Sequence, residues 1–247
     1  MSSVVRTGVR PVSIVPPVTW TILLVAGLIQ VGWALSEPKP VASAEALRRP
    51  PEVGWLRAAS LGEPIGTSQA LTLYLQAFDN QPGISVPFLD LDYSVVEAWL
   101  TAVLALDPAT DYPLMMAAQL YAQVPDQAKQ RRMLDFVHRE FLGDPDKRWR
   151  WLAHAAIVAK HRLHDMPLAL AYADDIARYA PHAPGWARQM RIFILEEMGE
   201  IQAASVLLGG LLATGEVTDK SEIHFLMERL AALKSAAEKS SKPSEFR

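Results

Sequence analysis

Residues 144–181 read DPDKRWRWLAHAAIVAKHRLHDMPLALAYADDIARYAP, a helical hairpin opened by Asp144-Pro145 and closed by Ala180-Pro181. Residues 148–163 and 167–179 read as its two helices. His164-Asp165-Met166 breaks the pattern between them and marks the turn. Upstream, Asp107-Pro108 stands in the same relation to Asp144-Pro145. The three prolines are 37 and 36 residues apart. A single globular core has no reason to keep such an interval, whereas stacked helix pairs repeat with a period of about 34 to 40 residues. The fold class expected is therefore all-α, a right-handed α-solenoid of stacked helical hairpins, with one N-terminal transmembrane helix.

Working outward, helix pairs are expected at residues 67–78 with 94–106, 112–123 with 126–142, 148–163 with 167–179, and 186–198 with 200–213. Inward stripes run through Val95, Val96, Trp99, Val103 and Leu106 in the first pair, and through Leu114, Ala118, Tyr121, Met133, Phe136, Val137 and Phe141 in the second. Residues 88–93 alternate and suggest a short extended connection. A last helix, from Ser221 to about Lys239 within a capping segment 215–239 and with its cap at Asp219 or Ser221, would cover the open end through Ile223, Phe225, Leu226, Leu230 and Leu233, as terminal repeats must. Residues 240–247 read as a disordered tail.

From residue 67 to 214 the chain resembles a tetratricopeptide repeat array. In the third pair His164 stands at the hairpin turn, Ala169 five residues on at the helix crossing, and Pro181 at the close. In the fourth pair Gly199 and Ala204 take those places, with Thr214-Gly215 where the proline would be. Ile157 and Ala173 depart from the family pattern, which favours a small residue at the first place and an aromatic at the second. The resemblance implies a superhelix whose first helices line a concave groove for a peptide or helix.

The segment from Val18 to Leu35 carries no ionisable side chain and is long enough for a bilayer core, which takes about 20 apolar residues. Trp20 and Trp33, about 20 Å apart along a helix, are placed as anchors at opposite headgroup layers. Residues 1–17 form a short tail before this span and 36–66 a proline-rich linker interrupted by a short helix, expected to act as a semi-rigid spacer in which Trp55, Leu56 and Leu61 dock on the first repeat. Arg6 and Arg10 precede the span and Lys39, Arg48 and Arg49 follow it, a near tie, but the tail is short and the nearest charges are Arg10 before and Glu37 after, so the localisation expected is a bacterial inner membrane, single-pass, with the repeats periplasmic. A cleaved leader ending near Ala34-Leu35-Ser36 or Val41-Ala42-Ser43 is the alternative. Gly27 and Gly32 are spaced five apart, off the four of a close-packing glycine motif.

With 50% apolar and 21% charged residues the 247-residue chain has a packed core to build, and a net charge of −3 disfavours nucleic acid as a partner. No cysteine is present, which excludes thiol catalysis, disulfides and thiolate metal sites. His154, His161 and His164 with Asp165, the carboxylates Asp90, Asp92 and Glu97, and the pair Asp174 and Asp175 are the titratable groupings, and none has a recognised catalytic or metal spacing. No enzyme activity, cofactor or metal is expected.

A basic cluster of Lys129, Arg131, Arg132, Arg139, Lys147, Arg148 and Arg150 is interleaved with Phe136, Trp149 and Trp151. On the repeat reading, Arg148, Arg150, Trp151, Arg188 and Arg191 lie on first helices and are the residues expected to grip a protein partner. The function expected is a membrane-anchored scaffold organising protein partners in a cell-envelope complex of the secretion, pilus, polysaccharide-export or respiratory type. The alternative is an accessory subunit held mainly through residues 18–35, which in either case meet the lipid bilayer.

Overall fold

The computed structural model describes residues 16–36, 44–215 and 217–241, and the chain divides into two compact units, 1–43 and 44–247. The expected tail falls outside the described residues over 1–15, as do 37–43 of the expected linker and 242–247 of the expected C-terminal tail.

The first unit contributes one helix, α1 (Pro17–Ser36), with no buried residue and no acidic or basic side chain. Its 20 residues extend about 30 Å at the helical rise, enough for a bilayer core. By length and composition it is suited to crossing a membrane, with a mean hydropathy of 1.8. Two of its three hydroxyls, those of Thr21 and Ser36, donate back to the helix, to the carbonyls of Pro17 (3.2 Å) and Trp33 (2.8 Å). Trp20 and Trp33 are both exposed.

The second unit is helical apart from a two-residue ladder. Its helices are α2 (Val53–Ala59), α3 (Pro64–Ala77), α4 (Tyr93–Leu106), α5 (Tyr112–Met115), α6 (Gln127–Gly143), α7 (Pro145–His161), α8 (Met166–Tyr179), α9 (Gly185–Glu197), α10 (Ile201–Thr214) and α11 (Lys220–Ser241). The strands β1 (Asn80–Gln81) and β2 (Ile84–Ser85) pair antiparallel around Gly83, whose φ of 79° suits a hairpin turn. Aspartate side chains cap α4, α6, α8 and α11: Asp92, Asp126, Asp165 and Asp219 accept from the backbone N–H of Ser94, Lys129, Leu168 and Glu222.

Several boundaries differ from the sequence reading for identifiable reasons. Helix α3 starts at Pro64 and α7 at Pro145, about three residues early, because proline fits a first helical turn and its missing N–H costs nothing there. Residues 88–90 form one tight helical turn rather than an extended link. The single helix expected over 112–123 is broken: after α5 come a wide π-type turn at Met116–Leu120 and a tight turn at Tyr121–Gln123. There the fully buried Tyr121 stacks edge-on against Phe88 and Tyr93, and the Tyr93 hydroxyl donates to the Tyr121 carbonyl at 3.0 Å. Local helix regularity is exchanged for that packing.

From residue 44 the expected spacer is docked. Leu47 is buried in the main core, the Trp99 indole donates to the Arg48 carbonyl (2.8 Å), and Arg57 donates to the carbonyl of Ala105 (2.9 Å). Leu56 packs as expected, against Ala102 and Leu106, whereas Trp55 and Leu61 are 73% and 93% exposed. Phe225 of α11 is also exposed, so the inward face of that helix rests on Leu226 and Leu233.

Each helix from α6 to α11 packs on its sequence neighbour, and one continuous apolar core runs from α3 to α9. The inward stripes of the first two pairs are buried throughout. Between α7 and α8 the fully buried Ala155, Ala156, Ala159, Ala169 and Ala173 let two helices approach closely. Ile157, large where the resembled family is small, is 46% exposed, so its size costs no packing.

Polar side chains tie α4 to α6, α6 to α8, α7 to α9 and α9 to α11. Glu97 of α4 accepts from Arg132 (2.6 Å) and Arg139 (2.7 Å) of α6. Asp135 and His138 of α6 meet Tyr172 and Asp175 of α8 at 3.3 and 2.6 Å. Lys160 of α7 pairs with Glu197 of α9, and Glu196 of α9 takes a two-point grip from Arg229 of α11 at 2.6 and 2.9 Å.

The turns before α8 and α10 each use a left-handed residue, His164 at φ 52° and Gly199 at φ 82°, five residues before the buried Ala169 and Ala204. Space around Gly199 is open, so any penalty for a side chain there is conformational. Gly199→Ala is expected to lower stability by about 1 kcal/mol, read from the urea midpoint at unchanged slope.

Candidate functional site

The basic cluster that stands out in the sequence is largely neutralised in the fold. Lys129 donates to the carbonyls of Leu89 and Leu91 (3.1 Å to the latter), holding the loop before α4. Arg131 pairs with Asp165, Arg132 and Arg139 share Glu97, and Lys147 meets Asp144 at 3.0 Å. The Arg131 guanidinium, followed by the Leu168 amide, holds the Asp165 carboxyl below its ordinary range.

Arg148 is buried at 9% exposure and serves the fold. Its guanidinium donates to the Glu140 carbonyl (2.7 Å), the Glu140 carboxylate (3.3 Å) and the Pro108 carbonyl (3.2 Å), joining the end of α6 to the loop after α4. Singled out from the sequence as a partner-binding residue, Arg148 is buried here and makes these three bonds within the chain. Arg150 is exposed and lies 3.6 Å from Asp111. Trp151 is half-buried, and Trp149 meets Trp186 of α9 edge-on with ring centroids 5.5 Å apart.

Arg188 and Arg191 are brought together on α9, where they border a groove of about 600 Å³ that runs beside α8, α10 and the start of α11. Arg188 donates through Nε to the Ala183 carbonyl at 3.2 Å, and Arg191 reaches Asp174 of α8 at 3.5 Å. Gln189 donates to Glu222 at 2.8 Å across the floor, and a side chain at Gly185 would press on both of these groups at 3.2 to 3.3 Å. Val206, Leu207 and Leu211 supply the apolar wall. The groove thus has an apolar wall and two guanidinium groups at its rim. Arg148, Arg150 and Trp151 lie on α7 and outside it, so the five residues singled out from sequence do not form one site.

His161 and His164 are exposed, while His154 is half-buried with Nε2 shielded and without a hydrogen-bond partner among the described residues. Among those residues no cluster of three His, Asp or Glu side chains is arranged to hold a metal ion. Burial holds the His154 imidazole below its ordinary pKa of 6.5. The imidazole is then neutral when folded and takes up a proton more readily when unfolded, so its contribution is full above pH 6.5 and is lost as pH falls below it. Thermal melts from pH 7.5 to 5.5 are expected to show a falling midpoint, and the fall should be smaller in His154→Leu.

No protein-family model, no curated protein and no solved structure matches the chain.

Proposed function

We propose that the chain is a membrane-anchored repeat scaffold that binds and organises protein partners in a cell-envelope complex, with α1 in the inner membrane and the helical hairpins on the periplasmic side. The observation that carries the repeat reading is that many of its interhelical polar links join residues 33 to 42 apart, whereas links between sequence-adjacent helices, Arg148 to Glu140 and Arg191 to Asp174, span 8 and 17. Partners on adjacent antiparallel helices would differ widely in separation along the contact. A near-constant value is the mark of parallel helices one hairpin apart, α4 with α6 and α8 in one layer, α7 with α9 and α11 in the other. The turn geometry at His164 and Gly199, each followed five residues on by a buried alanine, supports the tetratricopeptide likeness.

The wholly exposed apolar surface of α1 supports the anchor, and the groove beside α9 supports binding as the activity. The short basic tail before α1 favours a cytoplasmic N-terminus. That same exposed surface also favours a second reading, an accessory subunit held by α1 alone. Exchanging residues 17–36 for an unrelated span separates the two. A scaffold keeps its co-purifying partner after the exchange and loses it when Val206 and Leu207 are replaced by aspartate. A span-held subunit behaves in the opposite way.

A further inference from the structure

Residues 44–49 cross the first hairpin as an extended strap, and the fold holds them as it would hold a foreign peptide. The Gln81 side-chain amide makes a two-way grip on one residue of the strap. Its oxygen accepts from the Glu45 N–H (2.7 Å), and its nitrogen donates to the Glu45 carbonyl (2.9 Å). Three residues on, the Trp99 indole donates to the Arg48 carbonyl. All three bonds go to main chain, so they read an extended backbone without regard to sequence, the device by which peptide-binding domains gain affinity. Specificity comes from a single side chain. Leu47 is 7% exposed and joins the core with Leu75, Phe78 and Leu91, whereas Ala44, Glu45, Ala46, Arg48 and Arg49 are exposed.

The strap also fits its seat loosely. A cavity of about 360 Å³ runs along it, between residues 44–47 on one side and Ile84, Val86, Pro87 and Leu91 on the other. One buried leucine and three hydrogen bonds do not by themselves exceed the cost of ordering six backbone residues, so the strap is weakly held. An extended segment with the same leucine and with larger side chains in place of Ala44 and Ala46 would fill the cavity and hold more tightly.

The geometry points to a peptide-binding site at Gln81, Trp99 and the Leu47 socket, which the chain fills with its own residues 44–49 and from which an extended, leucine-bearing segment of a partner protein displaces it. This deepens the scaffold reading by naming a second docking surface and its kind of occupant, and its test needs neither a membrane nor a native partner. Failure here leaves the experiment on the α9 groove untouched.

The probe is a fluorescein-labelled peptide of residues 44–50, AEALRRP, with AEADRRP as control, titrated into the full chain in detergent micelles and followed by anisotropy. Leu47→Asp empties the socket by placing a charge in it, and Glu45→Pro removes the N–H that Gln81 grips while leaving the receiving surface intact. Either variant is expected to bind AEALRRP at least tenfold more tightly than the wild-type chain, in which the strap competes. AEADRRP is expected not to bind, and adding Gln81→Ala is expected to weaken binding about tenfold. Equal binding by wild type and both variants, or no binding by variants whose circular dichroism is unchanged, overturns the proposal. Loss of cooperative unfolding in both variants overturns it too, because the strap would then be part of the core rather than its occupant.

Discussion

Leu24→Asp combined with Leu28→Asp is expected to move the protein from the carbonate-resistant membrane fraction to the soluble one. The two leucines flank the middle of α1, where each is well exposed. Each carboxylate at a bilayer centre disfavours insertion by about 2.5 to 3.5 kcal/mol, so the pair shifts the equilibrium by roughly 5 to 7 kcal/mol, several orders of magnitude in partition. The matched Leu24→Ala and Leu28→Ala pair keeps the segment uncharged and is expected to stay in the membrane. A doubly charged variant that remains in the pellet would mean that residues 44–247 hold the membrane by other contacts, and the anchor reading would fail. The intact mass of membrane-extracted protein separates an anchor from a leader, since cleavage near Ser36 or Ser43 would remove the whole helix.

Arg148→Ala is expected to destabilise the second unit by about 3 kcal/mol, read from the urea midpoint. The guanidinium is the sole described bridge from α7 to both the Glu140 and Pro108 carbonyls. Its removal leaves those two acceptors and the partly buried Glu140 carboxylate without their donor. Arg148→Met is expected to recover part of the loss by keeping the apolar stem packed, and Arg148→Lys to recover little more, because one ammonium cannot serve three acceptors in a fork. An alanine variant of nearly wild-type stability that loses its partner would reverse the assignment and return Arg148 to the binding residues.

Arg148 shows why the binding residues were hard to read from sequence. An arginine flanked by lysine, tryptophan and arginine looks like a solvated basic patch, and its one-dimensional neighbours say nothing of Glu140 or Pro108, which lie 8 and 40 residues away. The same holds for Lys129, Arg131, Arg132 and Arg139, whose partners lie some 34 to 42 positions away. Gln81 and Trp99 carried no signal at all: one stands in a turn and the other on a core stripe, and their shared role appears only when residues 44–49 lie across both. A weak hint was present in the linker, where Leu47 is an isolated leucine among alanines and arginines.

What the sequence determined by itself was the list of helices, the buried stripes of α4 and α6 and the apolar span of α1. These depend on periodicity, capping aspartates, prolines at first turns and the absence of charge, all of which act within a few residues. The tertiary structure alone decided the broken helix at Met116–Leu120, the docking of residues 44–49, and which charges remain to meet a partner. Those outcomes turn on packing and on ion pairs between residues some 35 positions apart, where a buried ring or a facing carboxylate outweighs the local preference of the chain.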